Sequence, residues 1–353
     1  MARGDASVER VPRTFIALVV AVVLAGVLYL ATCSAAPRSS FQIGVVSNAD
    51  PTIVAGKIAR LGAPIVRVEF PIDAGTARLA PVIAAFARRH MSVLALAGFP
   101  GRIPTSAEAA NVASWAHAFG PSGTFWAHYR GPAMPIHDIE FGNETNQGYQ
   151  FGGCGPGCSA FAERARAYAL AVEQAQQAID GPHGNAGVGV LAIGDDGGTG
   201  SAEWVNGMFA AVPDLATRVA GWTAHPYGPR PHWQALLDQL VAQTAARGAP
   251  RSVPIWITEI GVASDDGRCL GNNFGWNPCM SYVEAANAIS STVAAIRARY
   301  GLRVRAIFVY QALDQRLPGA DSEREHYFGV LGANGAAKGA YTTAFRALVR
   351  TQR

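Results

Sequence analysis

Eight short apolar runs, each followed by a longer alanine-rich segment of helical spacing, organise everything after residue 40. The runs are Gln42–Ser47, Ile65–Phe70, Ser92–Gly98, Ile136–Gly142, Ala186–Ile193, Ala220–His225, Ile255–Ile260 and Arg305–Gln311. The helical segments are Pro51–Leu61, Thr76–His90, Ala107–Phe119, Ser159–Ile179, Ala202–Val212, Pro231–Arg247, Ser281–Tyr300 and Gly339–Arg350. Strands that are apolar on both faces belong in a parallel sheet covered by helices. Eight strand–helix repeats in about 310 residues predict one (β/α)8 TIM barrel of α/β class. An open, doubly wound sheet reads similarly, and it is the count of eight that favours closure.

A closed barrel gathers the carboxyl ends of its strands on one rim, where barrel enzymes keep their chemistry. The polar residues of this chain fall there. Glu144 follows the fourth run and Glu259 ends the seventh, while Arg67 and Glu69 lie near the end of the second. His225 and Tyr227 mark the end of the sixth, Tyr310 and Gln311 that of the eighth. By strand alternation Glu140 shares an inward face with Gly142 and Glu144, one layer deeper, and Trp256 points outward, opposite to Glu259.

The chain is half apolar and 15% charged, the composition of a globular protein. Its net charge of +4 is scattered, and the cations are arginine apart from Lys57 and Lys338. Nucleic-acid binding needs a basic stripe with interleaved aromatics, and none is visible. Arg3, Arg10 and Arg13 precede an uninterrupted apolar run, Phe15–Ala31. That pattern is an export segment close in length to a membrane anchor. Cleavage at Ser34-Ala35-Ala36, lipidation at Cys33 and retention as an anchor all remain open, and each leaves the rest of the chain outside. The other cysteines form two local pairs, Cys154/Cys158 and Cys269/Cys279. Four cysteines allow three connectivities. Pairing within each loop is expected in an oxidising compartment, ahead of a zinc site, because neither loop has a nearby histidine.

A carboxylate is costly to bury without a partner or a task. Glu144 in Ile-Glu-Phe-Gly-Asn-Glu-Thr-Asn (139–146) and Glu259 in Trp-Ile-Thr-Glu-Ile-Gly (256–261) both end apolar runs, and a pair of carboxylates is the minimal equipment for glycoside hydrolysis. Asn143-Glu144 after strand four, with Glu259 ending strand seven, resembles clan A of the glycoside hydrolases, which are retaining enzymes on (β/α)8 barrels. His225-Pro226-Tyr227, Glu140 and the tail segments Phe328–Leu331 and Lys338–Tyr341 extend the resemblance to bacterial cellulase-like and β-xylosidase-like members over nearly all of residues 41–350. Gly142, Thr145 and Tyr310 depart from the commoner Trp, Pro and Trp and blur the sugar specificity.

The resemblance implies that Glu144 is the acid/base and Glu259 the nucleophile. Asn143 is then placed to bond a sugar hydroxyl, Arg67 to hold Glu259 ionised, and Tyr227 and Tyr310 to orient the nucleophile or floor the sugar subsite. Arg67 reads equally as a substrate-binding residue and as a buried support paired with Glu69 or Glu140, while for His225 a substrate-binding place in the site is favoured over a core histidine. Tyr149, Phe151 and Trp276 lie in the cysteine-bearing loops, where they either stack on sugars or pack the loops. No His-Glu-x-x-His or Gly-x-Ser-x-Gly is present, and Asp195-Asp196-Gly-Gly-Thr-Gly lacks the lysine of a phosphate loop, so it reads as a loop within reach of sugar. No cofactor and no metal is implied. The expected protein is a signal or anchor segment over 1–36 and a monomeric catalytic barrel over 37–353. It would act outside the cell on a polysaccharide or oligosaccharide, with no nucleic-acid partner, and touch the membrane only through a retained N-terminal segment. The rival readings are a catalytically silent glycan-binding barrel and a transglycosylase using the same site.

Overall fold

The structure is a computed structural model that describes residues 41–151, 153–196, 201–248, 253–270, 277–315 and 324–352. The N-terminal apolar run Phe15–Ala31, read above as an export segment, Cys33 and Trp276 lie outside these residues. Eight parallel strands close into a barrel in sequence order: β1 Gln42–Ser47, β2 Ile65–Pro71, β3 Ser92–Gly98, β4 Asp138–Phe141, β5 Gly189–Asp196, β6 Gly221–His225, β7 Ile255–Ile260 and β8 Val304–Val309. β8 pairs with β1, which closes the circle and excludes the open-sheet reading. Among the described residues, no helix is long and apolar enough to cross a membrane.

Two apolar layers form. Outward side chains such as Val45, Val68, Ala95, Phe141 and Val190 pack against the surrounding helices. A smaller inner set, Val46, Ile65, Leu94, Leu191, Trp256, Ala306 and Phe308, fills the lower part of the barrel. Trp256 stacks on Phe308 with ring centres 6.4 Å apart. Glycines make room for both rings: a Cβ on Gly44 would come within 2.5 Å of Phe308, and one on Gly221 within 2.7 Å of Trp256. Above this apolar plug the inner face turns polar, with Arg67, Glu140, Thr223, His225, Thr258 and Glu259 all buried.

The outward placement expected for Trp256 is therefore corrected: it faces into the barrel. The parity argument failed because β7 carries an irregularity. Ile257 pairs with Ile307, yet Ile260 pairs with Val309, so three steps on β7 match two on β8. The extra residue lets Thr258 and Glu259 both reach the interior, although they are neighbours in sequence.

Other boundaries moved for local reasons. β4 stops at Phe141 because Gly142 takes a left-handed conformation with φ +91°. Glu144 thus sits in a loop, itself at φ +48°, and not on the strand's inward face. β5 runs on through Asp195 and Asp196, which pair with Ala224 and His225 after a register shift. The expected helix Ala107–Phe119 is broken into Ser106–Ala110 and Val112–Phe119 at Asn111, whose amide donates to the main-chain oxygens of Ile72 and Ala74. The helix Tyr282–Tyr300 begins at a capping box formed by Ser281 and Glu284. Cys154 bonds to Cys158 and Cys269 to Cys279, each pair closing its own loop as expected.

Candidate active site

Arg67 is the hub of the polar layer. It rises from β2 fully enclosed, and its guanidinium forks to three partners. Nε and Nη2 donate to the Glu140 carboxylate on β4, Nη1 donates to Glu259 Oε1 at 2.5 Å, and Nη2 donates to Asn143 Oδ1 at 2.7 Å. Arg67 thus ties Glu140 and Glu259 together. An always-charged, planar fork suits two carboxylates at once.

Glu259 takes a second bond from the Tyr227 hydroxyl, which donates to Oε2 at 2.9 Å. Burial alone would push the Glu259 carboxyl up. His225, Arg67 and the Tyr227 and Arg67 hydrogen bonds outweigh it and hold Glu259 below the usual carboxylate range. Burial and the Glu259 charge raise Tyr227 well above an ordinary phenol, so it stays a donor.

Glu144 reaches the same place from the loop after β4. The left-handed backbone at Gly142 turns the chain over the rim, where a Cβ on residue 142 would lie 2.6 Å from the Phe99 ring. That is why a large side chain is absent there. His225 Nδ1 lies 2.8 Å from Glu144 Oε1, and His225 Nε2 lies 3.1 Å from Thr258 Oγ1. One carboxyl oxygen from Glu144, one from Glu259 and a ring nitrogen of His225 all lie within 4.8 Å of one another. Both His225 nitrogens are already engaged, and Arg67 and His225 already serve the carboxylates as counter-charges. The charges of this donor set are therefore already answered within the protein.

The pair opens onto a cavity of about 470 Å³. Arg67, Asn143, Tyr227 and Tyr310 line it together with Glu144 and Glu259. His225 does not: it is 0% exposed and stands behind the pair. Tyr310 serves a different carboxylate from Tyr227, since its hydroxyl donates to Glu325 Oε1 at 2.9 Å and accepts from Asn48 Nδ2 at 3.1 Å. Asn48 and Glu325 line the cavity and were not found from sequence. Neither belongs to a recognisable motif, and Glu325 lies in the long connection after β8. Glu69 completes the acidic wall, with Gly98 leaving the space that its side chain fills; a Cβ there would be 2.8 Å from Glu69 Cδ.

The structure separates the loop aromatics. Phe151 is covered by the Arg164 guanidinium, 4.3 Å from its centre, and packs the loop. Tyr149 is 69% exposed and lines the cavity. Asp196, read from sequence as part of a loop, is fully buried at the end of β5 beside His225.

Fold and site together define a (β/α)8 barrel with a close, oppositely supported carboxylate pair at its mouth. Solved structures of the same fold carry glycoside hydrolase names. The chain is similar to one of a pair of fungal β-1,4-galactanases (TM-score 0.60, 11% identity, 88% of this chain and 100% of that one). It is similar to the family 51 α-L-arabinofuranosidase AbfB from Bifidobacterium longum (TM-score 0.57, 14% identity, 90% and 74%). It is also similar to a family 39 glycoside hydrolase from Bacteroides cellulosilyticus WH2 (TM-score 0.54, 15% identity), covering 88% of this chain but only 64% of that one. At these identities the likeness establishes the barrel. No family model matches the chain, and no curated protein matches it.

Proposed function

We propose that this chain is an exported glycoside hydrolase that works by double displacement with retention. The observation that carries the reading is the approach of the Glu144 and Glu259 carboxyl oxygens to within 4.8 Å. Retaining enzymes hold their carboxyl groups roughly 5–5.5 Å apart, whereas inverting enzymes leave about 6.5–9.5 Å for a water. The barrel shared with glycoside hydrolases and the resemblance to clan A point the same way. In the first half, Glu259 attacks the anomeric carbon as the glycosidic C–O bond breaks, and Glu144 gives its proton to the leaving oxygen. In the second, Glu144 takes a proton from water, the water oxygen attacks the same carbon, and Glu259 is released. Arg67 and Tyr227 keep Glu259 ionised and aimed.

The cleft also favours a class of substrate. Among the described residues lining it, Arg67 is the one cation, already engaged by Glu140, Glu259 and Asn143, against the carboxylates Glu69, Glu144, Glu259 and Glu325. A glycone without a carboxylate is accommodated, and a uronic acid is repelled. Tyr149 is the platform for a ring on the leaving-group side, because it follows the acid/base in the same loop. The apolar N-terminal run and the two disulfides support action outside the cytoplasm on a polysaccharide or oligosaccharide. Turnover of uncharged aryl glycosides tests the reading, with the anomer of the first-formed product followed by NMR. Retention, lost in Glu259→Ala, is expected; an inverted product, or glycan binding without turnover, overturns it.

A further inference from the structure

Asp196 is a buried carboxylate for which the double displacement has no use. It ends β5, is 0% exposed, and accepts from the Thr223 hydroxyl at 3.0 Å. Its Oδ2 lies 3.9 Å from His225 Nε2, while the other nitrogen of that ring meets Glu144. Its main-chain oxygen accepts from the Gln147 amide at 2.6 Å, which ties down the loop that bears Glu144. A carboxylate is not placed in so dry a site without a charge to answer.

We propose, resting on the hydrolase reading above, that Asp196 is a positioning residue for the acid/base step, its negative charge retaining one proton on the hydrogen-bonded His225–Glu144 pair. That proton is the one given to the leaving oxygen when the glycosidic bond breaks. The pair is left as neutral imidazole and carboxylate, and the water of the second half restores the proton. The two groups share it across the 2.8 Å contact between Nδ1 and Oε1.

The surroundings of the ring bear this out. His225 is faced by Asp196 from β5, Glu144 from the loop after β4, and Glu259 and Thr258 from β7. Glu140 from β4 is near but is matched by Arg67 from β2. Burial would strip the proton from His225, yet Asp196, Glu259 and Glu144 outweigh burial and hold it well above an ordinary imidazole. Asp196 is itself raised to about 7 by burial, with His225 opposing and Glu140 and Glu144 adding to the rise, so its charge is developed at pH 8 and fades below pH 7.

The test is Asp196→Asn, which keeps shape and removes charge. The alkaline limb of kcat/KM is expected to move down by at least one pH unit. At pH 8, glycosides with poor leaving groups should lose at least tenfold while dinitrophenyl glycosides, which need no proton, change less than twofold. Equal loss on both classes, or an unmoved alkaline limb, overturns the proposal, because a merely structural role lowers both alike. A second measurement needs no turnover. The proton between Nδ1 and Oε1 should give a downfield resonance that persists through pH 8 in the wild-type protein and is lost at least one pH unit lower in Asp196→Asn; loss at the same pH in both proteins overturns the proposal. If no uncharged glycoside is turned over by the wild-type chain, the hydrolase reading fails while this comparison still reports on Asp196.

Discussion

Replacing Arg67 by Met keeps a long apolar stem and deletes the charge. In the structure this leaves Glu140 and Glu259 buried with their shared cation gone and removes the donor to Asn143. Breaking a buried ion pair from one side costs about 3–5 kcal/mol. Unfolding entropy is about 2.1 cal/mol/K per residue, so a domain of roughly 310 residues loses about 5–8 °C in Tm for that cost. The loss must depend on pH, and the direction follows from Glu259. Its folded value is depressed below the unfolded value of about 4.3, so Arg67 contributes stability above that pH, and the contribution fades as pH falls through the folded value. In Arg67→Met the carboxyls take up protons instead, and acid relieves the defect. Thermal unfolding of both proteins between pH 4 and pH 8 should show the full gap at pH 7–8, narrowing steadily toward pH 4. A gap that is constant with pH, or one below about 2 °C at pH 7, refutes the reasoning.

Three further outcomes follow from named contacts. Gly142→Ala places a Cβ at φ +91° and 2.6 Å from Phe99, so strain and overpacking should cost about 2–4 kcal/mol, read as a matching fall in denaturation midpoint; an unchanged midpoint contradicts the account of the β4 turn. Tyr149→Ala should raise KM for oligosaccharides about five- to tenfold, the worth of one aromatic stack, and leave glycosyl fluorides unaffected, and equal effects on both would remove Tyr149 from the leaving-group side. A uronide should be turned over about a hundredfold less well than the matching neutral glycoside, since one carboxylate repulsion at ~6 Å and an effective dielectric of ~20 costs ~3 kcal/mol. Glu69→Gln and Glu325→Gln should each narrow that ratio, and equal turnover of the two glycosides would discard the charge argument.

Much of this was legible before any coordinates. The eight runs, apolar on both faces, allow little except a covered parallel sheet; their number favours closure, and the pairing of β8 with β1 supplies it. Glu144 and Glu259 announced themselves as carboxylates ending apolar runs, and Arg67 and Tyr227 do meet Glu259. What could not be read depends on register. Alternation places Trp256 outside, and only the shift between Ile257 and Ile260 puts it inside together with Glu259. Alternation also carries Glu144 on a strand that ends earlier, at Phe141. His225 gave no sign of standing behind the pair, because burial of one ring is a property of the whole barrel. Asn48 and Glu325 sit far apart in sequence and meet only through the Tyr310 hydroxyl, a contact without any local signature.

The central claim is that two carboxylates delivered by different strands act on one anomeric carbon, Glu259 as nucleophile. A fluorinated glycoside that stalls after the first displacement tests it directly. Mass analysis of the digested protein should find the sugar bonded to Glu259, on the peptide spanning Trp256–Gly261. Attachment at Glu144 or at any other side chain would contradict the account.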